Sequence, residues 1–150
     1  MNNLSSHYLN IQGLKNKWMD ARKLIQTEST YVESKVNWEL TEKKIQEKLS
    51  NNQLLFISQG FIGANYEGET TTLGREGSDF SAAIYAHCLN VTNVVVWKDV
   101  DGLLNADPKL FKKTEIIENI SYKEAIELSY LGASVIHPKT IKPLQNKNIK

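Results

Sequence analysis

The feature that most constrains this chain is a helix-sized segment, DFSAAIYAHCL at residues 79–89, that is apolar on almost every side and rich in small residues. A helix of that kind is buried all round, and small residues let it press closely onto a sheet. Two short apolar runs flank it, LLFIS at 54–58 and VVVW at 94–97, and each closes on polar residues, Gln59-Gly60 and Lys98-Asp99. Both read as buried parallel strands. Strand, helix and strand make a βαβ unit, so the expected class is α/β: a mainly parallel sheet with helices on both faces, joined by right-handed crossovers.

Further helices carry their own start signals. From Asn37, NWELTEKKIQEKLS puts Trp38, Ile45 and Leu49 on one face, pairs Glu39 with Lys43 across a turn, and offers Asn37 as the cap. Ser121 followed by Glu124 forms a capping box, with Gly132 expected to close that helix. A last helix starts near Pro138 and is expected to end or kink at Pro143. No repeat, linker or low-complexity tract divides the 150 residues, which are enough for one domain with a real core.

Composition removes several function classes. Eighteen Lys and Arg against 17 Asp and Glu leave a formal charge of +1 with no basic stripe, so no nucleic-acid partner is expected. No apolar run approaches the ~20 residues of a membrane span, and MNNLSSHYLN lacks the pattern of a signal peptide. The expectation is a cytoplasmic protein. The single cysteine, Cys88, sits among apolar neighbours and reads as a buried hydrophobe.

Ligands of α/β sheets bind beyond the carboxyl ends of the strands, so the site is sought there. GETTTLGREGSDFSAA, residues 68–83, runs a glycine-bearing polar loop straight into the buried helix. Gly74 and Gly77 let backbone approach a ligand, Ser78 is a candidate cap, the first-turn N–H groups form an anion site, and Arg75 adds a planar fork for a carboxylate or phosphate. A capped turn whose arginine pairs with a nearby acid is the plainer alternative. Asp79 suits the helix dipole but would repel a bare phosphate there, a conflict resolved if it holds a lysine, a substrate ammonium or a metal ion. WKDVDGLLNADPK, residues 97–109, puts Asp and Lys beside a strand end, which suits ribose and phosphate; its Asp-Gly and Asp-Pro also mark ordinary turns. His7, His87 and His137 show no triad or metal-ligand spacing, His137 should be extended before its proline, and the three tryptophans read as core or boundary residues.

FISQGFIGANYEGETTTLGREGSDFSAA, WKDVDGLLNADPK and ISYKEAIELSYLGASVIHPKTIKPLQNKNI together resemble the aspartokinases, a branch of the amino acid kinase family. The DVDG-x-x-x-ADP pattern supports only the wider family; TTTLGR-x-GSD and SYKEAIELSYLGA-x-V-x-HP are similar to aspartokinases in particular. The resemblance implies an α/β/α sandwich using ATP and Mg to phosphorylate the side-chain carboxylate of L-aspartate. It implies that Arg75, Glu76, Gly77 and Ser78 bind aspartate and that Asp79 positions catalytic lysines. It further implies that Lys98, Asp99, Leu104, Lys109, Ser134 and Val135 lie on nucleotide-binding positions. Lys98 replaces a common threonine, Leu104 a tyrosine, Lys109 an arginine and Ser134 a phosphate-binding lysine, and Lys98 is expected to stand in for the cation missing at Ser134.

Aspartokinases open with a K-F-G-G loop that this sequence lacks, and many carry ACT domains after the kinase domain. The chain therefore reads as the C-terminal portion of a catalytic domain, inactive alone and inclined to self-associate through an exposed sheet edge. A kinase of another small substrate and a non-catalytic binding module are the alternatives.

Overall fold

A computed structural model describes residues 2–49, 55–100, 102–130 and 136–150. Helix α1 (Asn2–Ile11) leads into strand β1 (Asn16–Met19), a 3-10 turn (Ala21–Lys23) and helix α2 (Trp38–Leu49). Strands β2 (Leu55–Ser58), β3 (Ile62–Ala64) and β4 (Thr70–Thr72) precede helices α3 (Gly77–Leu89), α4 (Tyr122–Tyr130) and α5 (Pro138–Asn146).

β1 and β2 pair in parallel, Asn16 opposite Leu55 through Met19 opposite Ser58. Beyond them the same two stretches of chain meet again in parallel, Ala64 N–H donating to Ile25 O and Thr27 N–H to Ala64 O. β3 and β4 form an antiparallel hairpin that the sequence reading did not contain. Its turn is built by Asn65, whose side chain accepts from Glu69 N–H, and by Gly68 at φ 81.

The burial of α3 accounts for the apolar pattern of residues 79–89. One side of it, Phe80, Ile84 and Cys88, joins Leu24, Ile25, Ile45 and Leu73 in the larger core cluster; Ala83 and Ala86 face Leu144 and Ile149 in a second. The small residues let α5 approach, while α2 closes the other side with Ile45 and Leu49. Asn37 caps α2 by accepting from Leu40 N–H, and Thr41, buried one turn on, accepts from Gln26 N–H.

Several expectations need correction. Residues 94–97 form no strand ladder: Val94 N–H bonds Lys150 O, Lys150 N–H returns to Thr92 O, and Trp97 is 91% exposed rather than a core or boundary residue. An apolar run becomes a buried strand only when a neighbour pairs with it, and no described segment does. The βαβ unit is therefore incomplete among the described residues. β2 is likewise only partly covered, with Leu55 exposed. Glu39 and Lys43 make no ion pair. α3 starts one residue before Ser78, so Ser78 does not cap it; Glu76 occupies the cap position without a side-chain bond. Pro143 does not end α5, which runs on to Asn146 with Pro143 buried and its carbonyl oxygen in contact with His87 Nδ1 at 2.9 Å. The closure at Gly132 lies outside the described residues. The capping box of α4 is complete, with Ser121 N–H donating to the Glu124 carboxylate and Glu124 N–H to Ser121 Oγ.

Candidate functional site

The loop between β4 and α3 is held from both ends. Thr71 shares a hydroxyl contact of 2.7 Å with Thr27, Thr72 N–H donates to Tyr31 O, and Leu73 N–H donates to Phe61 O. Thr71 and Thr72 thus anchor the start of the loop. After the buried Leu73, Gly74 turns the chain at φ 78, Arg75 projects into solvent, and Glu76 takes a left-handed φ of 51 before α3 begins. Gly77 is required by close approach: a Cβ there would meet the Phe61 ring at 2.7 Å.

Arg75 has no acidic partner among the described residues. Beside it, Gly77 N–H is already bonded to Gly74 O, whereas the N–H groups of Ser78 and Asp79 belong to the helix's unsatisfied first turn. Glu76 Oε2 is buried with no hydrogen-bond partner. A buried carboxylate oxygen left in that state is costly unless something donates to it.

Asp79 holds a lysine, one of the three partners its position allowed. Its Oδ2, out of contact with solvent, lies 2.7 Å from Lys98 Nζ, with the two side chains 18% and 25% exposed. The approach is that of an ion pair and falls outside directed hydrogen-bond geometry. It brings Lys98, expected from the resemblance to lie at a nucleotide position, onto the first turn of α3. Asp99 and Lys109 are exposed, Lys109 N–H capping back onto Asp107, and Leu104 is half-buried in a bridge to Ile116. Ser134 and Val135 lie outside the described residues.

A cavity of about 430 Å³ opens at the carboxyl ends of β1 and β2, bounded by Ser58, Gln59, Gly60, Ser78, Ser81 and Tyr85 among others. Burial pushes the Tyr85 hydroxyl up to about 12, against the opposing bond from Ser58, so it stays protonated. At the same edge sits a network that sequence reasoning missed. The Arg22 fork grips Asp20 at 2.6 to 3.1 Å and Gln59 adds a bond of 2.9 Å. Those bonds, Arg22 foremost, hold the Asp20 carboxyl below its ordinary range despite burial. The signal was the Asp-x-Arg spacing, unreadable without knowing that a strand ends there. Cys88 is fully buried and its thiol is pushed up to about 12, an inert core residue as expected. His87 packs edge-on against Trp38, and His137 is extended and caps α5, both structural as read. Among the described residues no group of three His, Cys, Asp or Glu side chains could hold a metal ion, and no helix is long and apolar enough to cross a membrane.

A parallel strand pair, a buried α3 and a glycine loop feeding its N-terminus fit an α/β fold, and the amino acid kinase family model matches residues 1–150. The chain belongs to the amino acid kinase family. It is similar to the bifunctional aspartokinase/homoserine dehydrogenase 2 of Arabidopsis thaliana, 40% identical over 96% of this chain and 16% of that protein. It is also similar to lysine-sensitive aspartokinase 3 of Escherichia coli, 36% identical over 89% of this chain and 30% of that one. The crystal structure of E. coli aspartokinase III in complex with aspartate and ADP superposes with a TM-score of 0.92 at 33% identity, covering 99% of this chain and 34% of its own. The chain thus spans between about a sixth and a third of the relatives it matches.

Proposed function

We propose that the chain is the C-terminal portion of an aspartokinase catalytic domain, carrying the L-aspartate loop and part of the ATP wall. Supporting this most directly is Arg75, a guanidinium fork with no acidic partner among the described residues, beside a helix N-terminus whose Asp79 carboxylate holds a lysine. The fork suits the bidentate recognition of a carboxylate, and Ser78 and Asp79 N–H groups favour the same charge. Glu76, with a buried oxygen lacking a donor, suits the substrate's ammonium.

In the reaction a side-chain carboxylate oxygen of L-aspartate attacks the γ-phosphorus of MgATP. The bond to the β,γ-bridging oxygen breaks, and ADP leaves with the electron pair, giving 4-phospho-L-aspartate. The attacking carboxylate is ionised at neutral pH, so no base is required. The difficulty is bringing anions together, which calls for preorganised positive charge. Arg75 and Lys98 supply it from this chain, Asp79 fixing the lysine; Asp99, Leu104, Lys109, Ser134 and Val135 complete the proposed nucleotide wall. Mg would arrive with the nucleotide substrate and would supply charge neutralisation at its phosphates. The single cysteine, with no partner for a disulfide, fits a reducing compartment, and we assign the protein to the cytoplasm.

Aspartate-dependent ADP release tests the reading, measured on the chain alone and with an added N-terminal segment bearing a K-F-G-G loop. No turnover alone and restored turnover with the segment is the expected pair of results. Turnover by the chain alone would show that one wall of the cleft suffices, and ADP release indifferent to aspartate would point to another acceptor.

A further inference from the structure

Lys139 carries no role in the proposed chemistry, yet it reaches the substrate loop from 66 residues away. It stands on the first turn of α5, where its own N–H is fixed by the His137 side chain at 3.1 Å. Its ammonium donates to Leu73 O at 2.7 Å and lies 4.8 Å from the centroid of the Phe80 ring. Leu73 is fully buried and its N–H is tied to Phe61 O. Its carbonyl is therefore the last fixed point before Gly74, Arg75 and Glu76.

A carbonyl's direction is the direction of its whole peptide plane. Holding Leu73 O fixes the plane shared with Gly74, the base from which the positive φ of Gly74 turns the chain towards Arg75. Glycine alone would leave that plane free to rotate. A charged donor, half-buried and backed by an aromatic face, makes a stronger tether than a neutral one.

We infer that Lys139 is a positioning residue for the substrate loop: by clamping the 73–74 peptide to α5 it holds Arg75 in the orientation that receives the ligand carboxylate. The identity of that ligand rests on the aspartate reading above; the clamp does not.

The purified chain is compared as wild type, Lys139→Met, Lys139→Gln and Lys139→Arg by amide hydrogen exchange and by L-aspartate titration. Lys139→Met keeps the stem over Phe80 and removes the donor. It should speed exchange at residues 74–77 roughly tenfold and weaken aspartate by a similar factor, while α2 and the middle of α3 exchange as before. Lys139→Arg should recover most of both, and Lys139→Gln should fall between, which keeps the comparison decisive if the Met variant folds poorly. Unchanged exchange at 74–77, or a uniform rise throughout the molecule, would overturn the inference. If exchange responds as described but the wild type shows no aspartate binding, the clamp stands and the aspartate reading fails.

Discussion

At the scale of single residues, the site is organised by which charges are already satisfied. Asp79 is engaged by Lys98 and Asp20 by Arg22, which leaves Arg75 as the arginine free of an acidic partner among the described residues. Arg75 was legible in the sequence because it is one of two arginines and sits in a glycine loop before an apolar helix. Lys139 was not, since the lysine-rich composition hides any one lysine and its partner is a backbone carbonyl. The Asp20 network has a consequence for pH. Its folded carboxyl lies below the ordinary range, so the folded state binds fewer protons than the unfolded chain through that window. The stabilisation is complete above the unfolded aspartate value near ~3.9 and is lost as pH falls through the depressed folded value. Asp20→Asn should therefore lower the Tm at neutral pH, with the two Tm values converging in strong acid. A gap that persists undiminished in acid would mean that Asp20 acts through packing alone.

Among elements, helices announced themselves and short strands did not. α2, α4 and α5 each carry a cap or a proline at the start, and α3 an apolar surface on every side; these are local signals that survive without tertiary context. β3 and β4 are three residues each, too short for an alternating pattern, and β4 is all threonine. What makes them strands is their pairing with each other, Ile62 opposite Thr72 through Ala64 opposite Thr70, backed by the long-range bridge of Ala64 to Gln26 and the Thr27–Thr71 contact. The 94–97 run shows the converse, since strong β propensity produces no ladder without a neighbour. α4 buries none of its residues, so its stability leans on the capping box. Ser121→Ala should cost about 1 kcal/mol, read as loss of helix at residues 122–130. Retention of full α4 protection in that variant would assign its stability to α5 instead.

For the molecule as a whole, much of the exposed apolar side-chain surface lies outside the two small sheets. Val95, Val96, Trp97, Val100, Leu110, Phe111 and Ile116 are all exposed. Together with the partly covered β2, this exposure leads us to expect concentration-dependent self-association of the isolated chain, visible by sedimentation and reduced by Trp97→Lys. A chain that stays monomeric at high concentration would show that this surface is tolerated in water. The central claim, however, is that the 74–79 loop takes L-aspartate through Arg75, and amide chemical shifts during an L-aspartate titration test it most directly. The account predicts saturable shifts concentrated at residues 74–79, abolished in Arg75→Ala and partly retained in Arg75→Lys, where charge survives without the fork. Shifts centred elsewhere, or a titration that Arg75→Ala leaves unchanged, would contradict it.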